Sequence, residues 1–131
     1  MKSGVVAGLL LAVVVQSVPA QDAARGERLF NDIAAVLNNR DVVPCAGCHG
    51  DKAALREMIT NRGGRVDDVK QLAGWIEAVI AGAQPGAKNA KAQYRGVLSR
   101  KDVLDLAAYL ARTARAQAPA SGRQPSVLAM R

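Results

Sequence analysis

Apolar side chains recur every three or four positions in several parts of the chain, and this spacing predicts amphipathic helices. Four helices are expected, at Asp22–Leu37, Lys52–Thr60, Val66–Ile80 and Arg100 to about Arg115. No segment shows the alternation of apolar and polar residues that a half-buried β-strand requires, and no internal repeat is present. The pattern therefore predicts an all-α fold.

The faces expected to be buried follow from the same spacing. They comprise Leu29, Phe30, Ile33, Val36 and Leu37 in the first helix, Val69, Leu72, Ala73, Ile76, Val79 and Ile80 in the third, and Val103, Leu106, Ala107 and Leu110 in the fourth. Ser99, followed three residues later by Asp102, resembles a capping box and predicts the start of the fourth helix. Pro85 and Gly86 mark the start of the polar loop that precedes the fourth helix.

The first twenty residues have the pattern of a secretory signal peptide. Lys2 supplies a positive start, Gly4–Val15 is an uncharged apolar run, and small residues indicate cleavage after Ala20. The alternative is an uncleaved anchor or a buried helix, but the run is shorter than a bilayer-spanning helix. We therefore expect export to the periplasm if the host is bacterial, with no membrane span after cleavage.

Removal of this segment leaves a chain of a size that usually forms one domain. Residues 21–116 are expected to form that domain, and residues 117–131 a flexible tail, because the tail is rich in Pro, Ser and Gly. Without Lys2 the net charge falls from +7 to +6, with the basic residues spread along the chain. Such a surface can steer encounters with acidic partners and anionic membranes; the alternative, an ordinary solvated basic surface, is the simpler interpretation. Aromatic residues make up only 3% of the chain, which argues against a nucleic-acid partner bound by stacking.

The two cysteines and the single histidine of the chain lie together, in Cys45-Ala46-Gly47-Cys48-His49. Two thiols separated by two residues can add to the two vinyl groups along one edge of a haem, and the imidazole that follows can bind the iron. This is the attachment signal of c-type haem. The alternative, a redox dithiol of the thioredoxin type, requires a βαβ environment that the sequence lacks. One covalent haem c is therefore the expected cofactor.

From about Gln21 to Arg115 the sequence resembles a class I c-type cytochrome of the small, mono-haem, bacterial periplasmic kind. Gly26 and Phe30 resemble a Gly/aromatic pair that in this family packs against the last helix, and Leu106–Leu110 resembles the matching segment of that helix. The resemblance implies three to five helices around one covalently bound haem, with the N- and C-terminal helices packed together.

The resemblance also assigns roles to single residues. Cys45 and Cys48 would form the haem thioethers, and His49 would be the proximal iron ligand. Trp75 resembles a position that lines the haem edge or a propionate, with simple core filling as an equal alternative. The stretch Asn31–Pro44 is longer than in many small members, so it either lengthens the first helix or adds a loop near the haem edge.

The sixth iron ligand departs from the family pattern. Family members supply a Met from the loop before the last helix, but the corresponding loop, Gly82–Leu98, contains none, and the chain has no second His. Aligned with the family pattern Met-x-x-Tyr, the sequence has Lys91 at the Met position, so Lys91 is a candidate distal ligand through its neutral amine. The alternatives are an open or weakly occupied site, and ligation by Met58 or another donor.

These features favour a periplasmic protein that transfers single electrons through its haem, as a free carrier or as the haem subunit of a redox complex. Its partners would be redox proteins with acidic docking surfaces. No acid–base pair suited to catalysis accompanies the motif, so no enzymatic activity is expected. The alternative is a haem protein whose open distal site binds NO, CO or O₂. In a third hypothesis the protein has a structural or chaperone-like role, and the haem only stabilises its fold.

Overall fold

A computed structural model describes residues 21–83 and 89–118 of the chain. They form four α-helices, α1 (Ala23–Leu37), α2 (Lys52–Asn61), α3 (Val69–Ala81) and α4 (Arg100–Ala116), and two short 3₁₀ helices, Cys45–Gly47 and Asn89–Tyr94. No strand occurs in these ranges, so the expected all-α class is confirmed. Within the same ranges, no helix is both long and apolar enough to cross a membrane. The expected signal peptide and residues 119–131 of the expected tail lie outside the described residues.

Each helix begins behind a side chain that caps its free N–H groups. The capping residues are Asp22 for α1, Asp51 for α2, Asp68 for α3 and Ser99 for α4. Ser99 and Asp102 form the expected capping box. The third helix begins at Val69 rather than at Val66, because the apolar spacing does not by itself locate the capping carboxylate.

Helix α1 is bent at Asp32, whose backbone leaves the helical region (φ −151°, ψ 64°). The Asp32 carboxylate accepts a hydrogen bond from the N–H of Ala35 at 3.3 Å, so it caps the second part of the same helix. Asn38, in the left-handed conformation, caps the end of the helix, and Val42 then returns to the core. Of the stretch Asn31–Pro44, residues 31–37 therefore belong to the first helix and residues 38–44 form a loop between that helix and the 3₁₀ helix that begins at Cys45.

Helices α1 and α4 cross in close contact. Gly26 of α1 faces the backbone of α4 at Asp105. One turn further along α1, the rings of Phe30 and Tyr109 lie 5.5 Å apart between centroids, with their planes at 54°. Both rings are buried, and such a pair contributes about 0.5–1.5 kcal/mol beyond its area burial. A small residue and an aromatic pair therefore hold the first and last helices together.

A buried carboxylate links the same two helices by charge. Asp105 is fully buried and accepts three hydrogen bonds, from the Asp22 N–H at 2.9 Å, Arg25 at 2.9 Å and Lys101 at 2.8 Å. Burial alone would raise the pKa of this carboxyl, but the three hydrogen bonds outweigh burial and hold the pKa below its usual value. Asp105 is therefore an ionised link between the start of α1 and α4.

Most of the positions expected in the core are buried, namely Leu29, Phe30, Ile33, Leu72, Ala73, Val103, Leu106 and Ala107. The remaining positions are only partly buried. Four of these, Ile76, Val79, Ile80 and Leu110, line a cleft beside the core. Helical spacing marks an apolar face, and part of that face forms the cleft wall rather than the closed interior.

Candidate functional site

An apolar cleft beside the core collects side chains from all four α-helices and from both 3₁₀ helices. Together with its open mouth, the cleft has a volume of about 630 Å³. Its walls include Leu55, Ile59, Ile76, Val79, Ile80, Leu98, Leu106 and Leu110. The side chains in it that carry further chemistry are Cys45, His49, Met58, Trp75, Lys91 and Tyr94.

The cysteine–histidine motif forms a tight turn at this cleft. Pro44 is extended (φ −64°, ψ 147°), and the N–H groups of Cys48 and His49 both donate to the Cys45 carbonyl, at 3.2 and 2.9 Å. The turn places Cys45 and His49 in the cleft lining, whereas Cys48 is exposed, and both thiols are free. Local backbone hydrogen bonds therefore bring one thiol and the imidazole into the same cavity.

Burial changes the acid–base properties of these two groups. Loss of water raises the pKa of the Cys45 thiol, and the positive charge of Lys91 acts in the opposite direction. Burial, and then the charge of Lys91, lower the pKa of His49. The imidazole is therefore neutral near pH 7 and keeps a lone pair that can bind a metal.

The amine of Lys91 faces this imidazole. Its Nζ atom lies 3.2 Å from Nε2 of His49, across 42 positions of sequence. Lys91 is half-buried and belongs to the 3₁₀ helix Asn89–Tyr94, within a segment that was expected to be a polar loop. The structure thus brings the candidate distal residue and the candidate proximal residue together in one cleft.

Two side chains that follow Lys91 are bound to a single residue ahead of the motif. The Tyr94 hydroxyl donates to the Val43 carbonyl at 2.6 Å, and the Val43 N–H donates to Oε1 of Gln93 at 2.9 Å. We call these two hydrogen bonds the Val43 clasp. Burial, followed by the neighbouring Cys45, raises the pKa of the Tyr94 hydroxyl, so the hydroxyl stays a donor. No sequence pattern indicates the clasp, because both bonds end on backbone groups of Val43.

Trp75 and Met58 also reach the cleft. The indole N–H of Trp75 donates to the Arg62 carbonyl at 3.1 Å, so the ring contributes a wall while its polar atom is bound to the protein. Met58 lines the cleft from α2 and is half-buried. Met130, in the expected tail, lies outside the described residues.

Within residues 21–83 and 89–118, no three His, Cys, Asp or Glu side chains come together as a set that could hold a metal ion. Comparison of the chain with protein-family models, with curated proteins and with solved structures gives no match. Support for a function therefore comes from the motif and the cleft.

Proposed function

We propose that this protein is a class I c-type cytochrome that transfers single electrons through one haem c, attached to Cys45 and Cys48 and bound at its iron by His49. The observation that carries the proposal is the position of the motif: its turn brings a thiol and a neutral imidazole into the lining of an apolar cleft. The motif has the composition that haem attachment requires, and the apolar macrocycle of a haem requires such a cleft.

The residues present fit a haem in their chemistry and in their setting. Nε2 of His49 is turned toward Lys91 inside the cleft, where it can serve as an axial nitrogen. Both thiols are free, Cys45 in the cleft lining and Cys48 exposed on the same turn, so the Cys48 side chain would turn toward the cleft to form the second thioether. The leucine, isoleucine and valine walls would contact the faces of the macrocycle and exclude water from it.

When bound, the haem supplies an iron that accepts and returns one electron. The chain would hold it through two covalent bonds and one axial nitrogen, and its apolar walls would set the reduction potential by keeping solvent away. Trp75 acts as part of these walls, since its N–H is bound to Arg62.

The fold and the charge support the same proposal. The contact of Gly26 with α4 and the Phe30–Tyr109 pair agree with the packing that the cytochrome resemblance implies. The proposal includes a periplasmic location, from the signal-like first twenty residues, and redox partners with acidic surfaces, from the positive net charge. It includes no enzymatic activity.

The decisive test is covalent haem attachment. The full chain is produced in a bacterium that exports proteins and attaches haem to c-type cytochromes. The intact mass of the purified protein is measured, together with the absorption spectrum of the reduced haem in alkaline pyridine. We expect one haem per chain that remains bound after denaturation, and reversible one-electron oxidation in voltammetry.

The variant Cys45→Ala/Cys48→Ala tests the attachment points. It is expected to lose covalent haem and to accumulate little folded protein, because the binding free energy of the cofactor adds to the folding free energy. Thr60→Val, an exposed change in α2, is the control and is expected to load haem normally. A folded, exported wild-type chain without haem, or one that cycles between a dithiol and a Cys45–Cys48 disulfide, would contradict the proposal.

A further inference from the structure

We propose that Lys91 is the second axial ligand of the haem iron, so that the resting protein is six-coordinate and its distal side is closed to gases. This inference rests on the proposed function, because it assigns Lys91 a role toward the haem. Its direct support is the 3.2 Å distance between Nζ of Lys91 and Nε2 of His49. Two nitrogen donors from distant parts of the sequence meet in a cleft whose walls are mainly apolar.

The two nitrogen atoms would have to move apart to bind one iron. With metal–imidazole bonds of about 2.0–2.1 Å, the length known for zinc, two nitrogens on opposite sides of a metal would lie about 4 Å apart, against 3.2 Å between Nζ of Lys91 and Nε2 of His49. The macrocycle would also have to enter the cleft between them. The flexible four-carbon stem of lysine can move the amine through its torsions.

The Val43 clasp fixes the backbone from which Lys91 reaches into the cleft. Val43 lies two residues before Cys45 and is bound by both Gln93 and Tyr94. The segment that carries the amine is thereby tied to the segment that begins the haem motif. The clasp thus fixes the backbone of the Lys91 segment relative to the motif, and the torsions of the lysine side chain set the position of the amine.

Three other side chains of the cleft carry an atom that could be considered as an iron ligand. Two of them are hydrogen-bonded to backbone carbonyls, and the spectra described below distinguish the third from lysine. The Tyr94 hydroxyl is bound to the Val43 carbonyl, and the Trp75 N–H, a donor without a lone pair for a metal, is bound to the Arg62 carbonyl. Met58 lines the cleft from α2 and is the competing donor. A thioether and an amine on haem iron give different spectra, so the two ligands can be distinguished.

The test is the ferric absorption and electron paramagnetic resonance spectrum of the haem-loaded protein and of variants at position 91. The wild type is expected to be low-spin and to lack the weak far-red band of an iron–methionine bond. Lys91→Arg keeps the positive charge, but a guanidinium stays protonated and has no lone pair for a metal. We therefore expect high-spin iron in Lys91→Arg and in Lys91→Ala.

Lys91→Met is the complementary variant. It places a thioether where the amine was, so low spin is expected to return together with the far-red band and a higher reduction potential than in the wild type. Because this variant retains a ligand at the site, it tests the position even if Lys91→Ala does not accumulate. Circular dichroism of every variant verifies that the helices are intact.

Lys70→Ala is the matched control for loss of charge, because it removes an exposed lysine of α3, and it is expected to retain the wild-type spectrum. Met58→Leu removes the competing thioether from the cleft lining. If the amine is the ligand, the iron of Met58→Leu is expected to stay low-spin and to lack the far-red band.

A high-spin wild type, or a low-spin spectrum that persists unchanged in Lys91→Arg, would overturn the lysine ligand and leave the proposed cytochrome intact. A wild-type far-red band that disappears in Met58→Leu would assign the ligand to Met58, with the same consequence. A wild-type chain without haem would overturn both proposals, so the two failures are distinguishable.

Discussion

Gly26 of α1 is in contact with the main chain of Asp105 in α4: a Cβ atom at position 26 would overlap the carbonyl oxygen of Asp105. The overlap involves backbone atoms, which cannot rotate aside as the end of a flexible side chain can. The close approach of the two helices therefore depends on the absence of a side chain at this position. The same approach brings Phe30 to Tyr109 and Arg25 to the Asp105 carboxylate.

Gly26→Ala is expected to destabilise the protein by about 3 kcal/mol, because the helices must move apart to admit the methyl group. Gly74→Ala is the matched control, since Gly74 is exposed in α3 and its added Cβ would meet nothing within 4 Å. At position 74, replacing glycine with alanine is expected to raise the free energy of unfolding by about 0.5–1 kcal/mol. Urea unfolding of both variants measures the two effects. Equal stability of Gly26→Ala and the wild type would show that the helices do not meet at Gly26.

Asp105→Asn is expected to lower the free energy of unfolding at pH 7 by about 2 kcal/mol, since it weakens hydrogen bonds between a buried carboxylate and two cations. The wild-type contribution has a defined pH dependence. The pKa of Asp105 is lowered in the folded protein, so its stabilisation is complete above the unfolded pKa, near 4, and is lost as the pH falls below that value. The difference between wild type and variant should therefore shrink on acidification.

Urea unfolding at several pH values between 7 and 3 measures this difference. Asp67→Asn is the control, because the Asp67–Arg65 pair is exposed and exposed pairs contribute little. Parallel pH curves for the wild type and Asp105→Asn would exclude Asp105 as a source of acid sensitivity.

Tyr94→Phe removes one bond of the Val43 clasp and is expected to cost about 1 kcal/mol of stability. If the clasp holds Lys91 at the iron, the distal side of the reduced protein should open more often and bind CO faster than in the wild type. Stopped-flow CO binding to the haem-loaded protein measures this rate. Thr60→Val also deletes a hydroxyl-to-carbonyl hydrogen bond, to Arg56, but on α2, and it should leave CO binding unchanged. If Tyr94→Phe binds CO at the same rate as the wild type, the clasp does not hold Lys91 at the iron.

Oxidation of the reduced protein by hexacyanoferrate(III), an anion, is expected to slow by about tenfold as salt rises, because a positive protein attracts an anionic reagent. The Debye length falls from roughly 30 Å at 0.01 M to about 3 Å at 1 M. Arg95 is exposed and hydrogen-bonds the Ile80 carbonyl at the cleft, so Arg95→Gln should weaken the salt dependence.

A cationic oxidant such as hexaammineruthenium(III) is the control and should react faster as salt rises. Stopped-flow oxidation at a series of salt concentrations compares the two reagents. Rates that do not depend on salt with either oxidant would remove the electrostatic part of the proposal.

Local sequence determined where the helices lie and where the motif turns. Three of the four expected helices begin within one residue of their expected start, because a capping residue followed by an apolar face acts over a few neighbouring positions. The turn at Cys45–His49 is also local, since its hydrogen bonds join residues within the motif and Pro44 restricts its entry. Periodicity could not predict how far each position is buried: Leu106 and Leu110 both line the cleft, but Leu106 is buried whereas Leu110, one turn later, is partly exposed.

Only the tertiary structure decided which distant groups meet. Asp105 is a charged residue on a helix, and its sequence position does not indicate that Asp22 and Arg25 will cover it. In the same way, the sequence marked Lys91 through its place in a family pattern, but its approach to His49 requires the two segments to be packed across 42 residues. Spacing along a chain encodes contacts within a turn or a helix. Contacts between segments depend on how closely the helices pack, which is set here by the backbone contact at Gly26 and by the bonds to Val43.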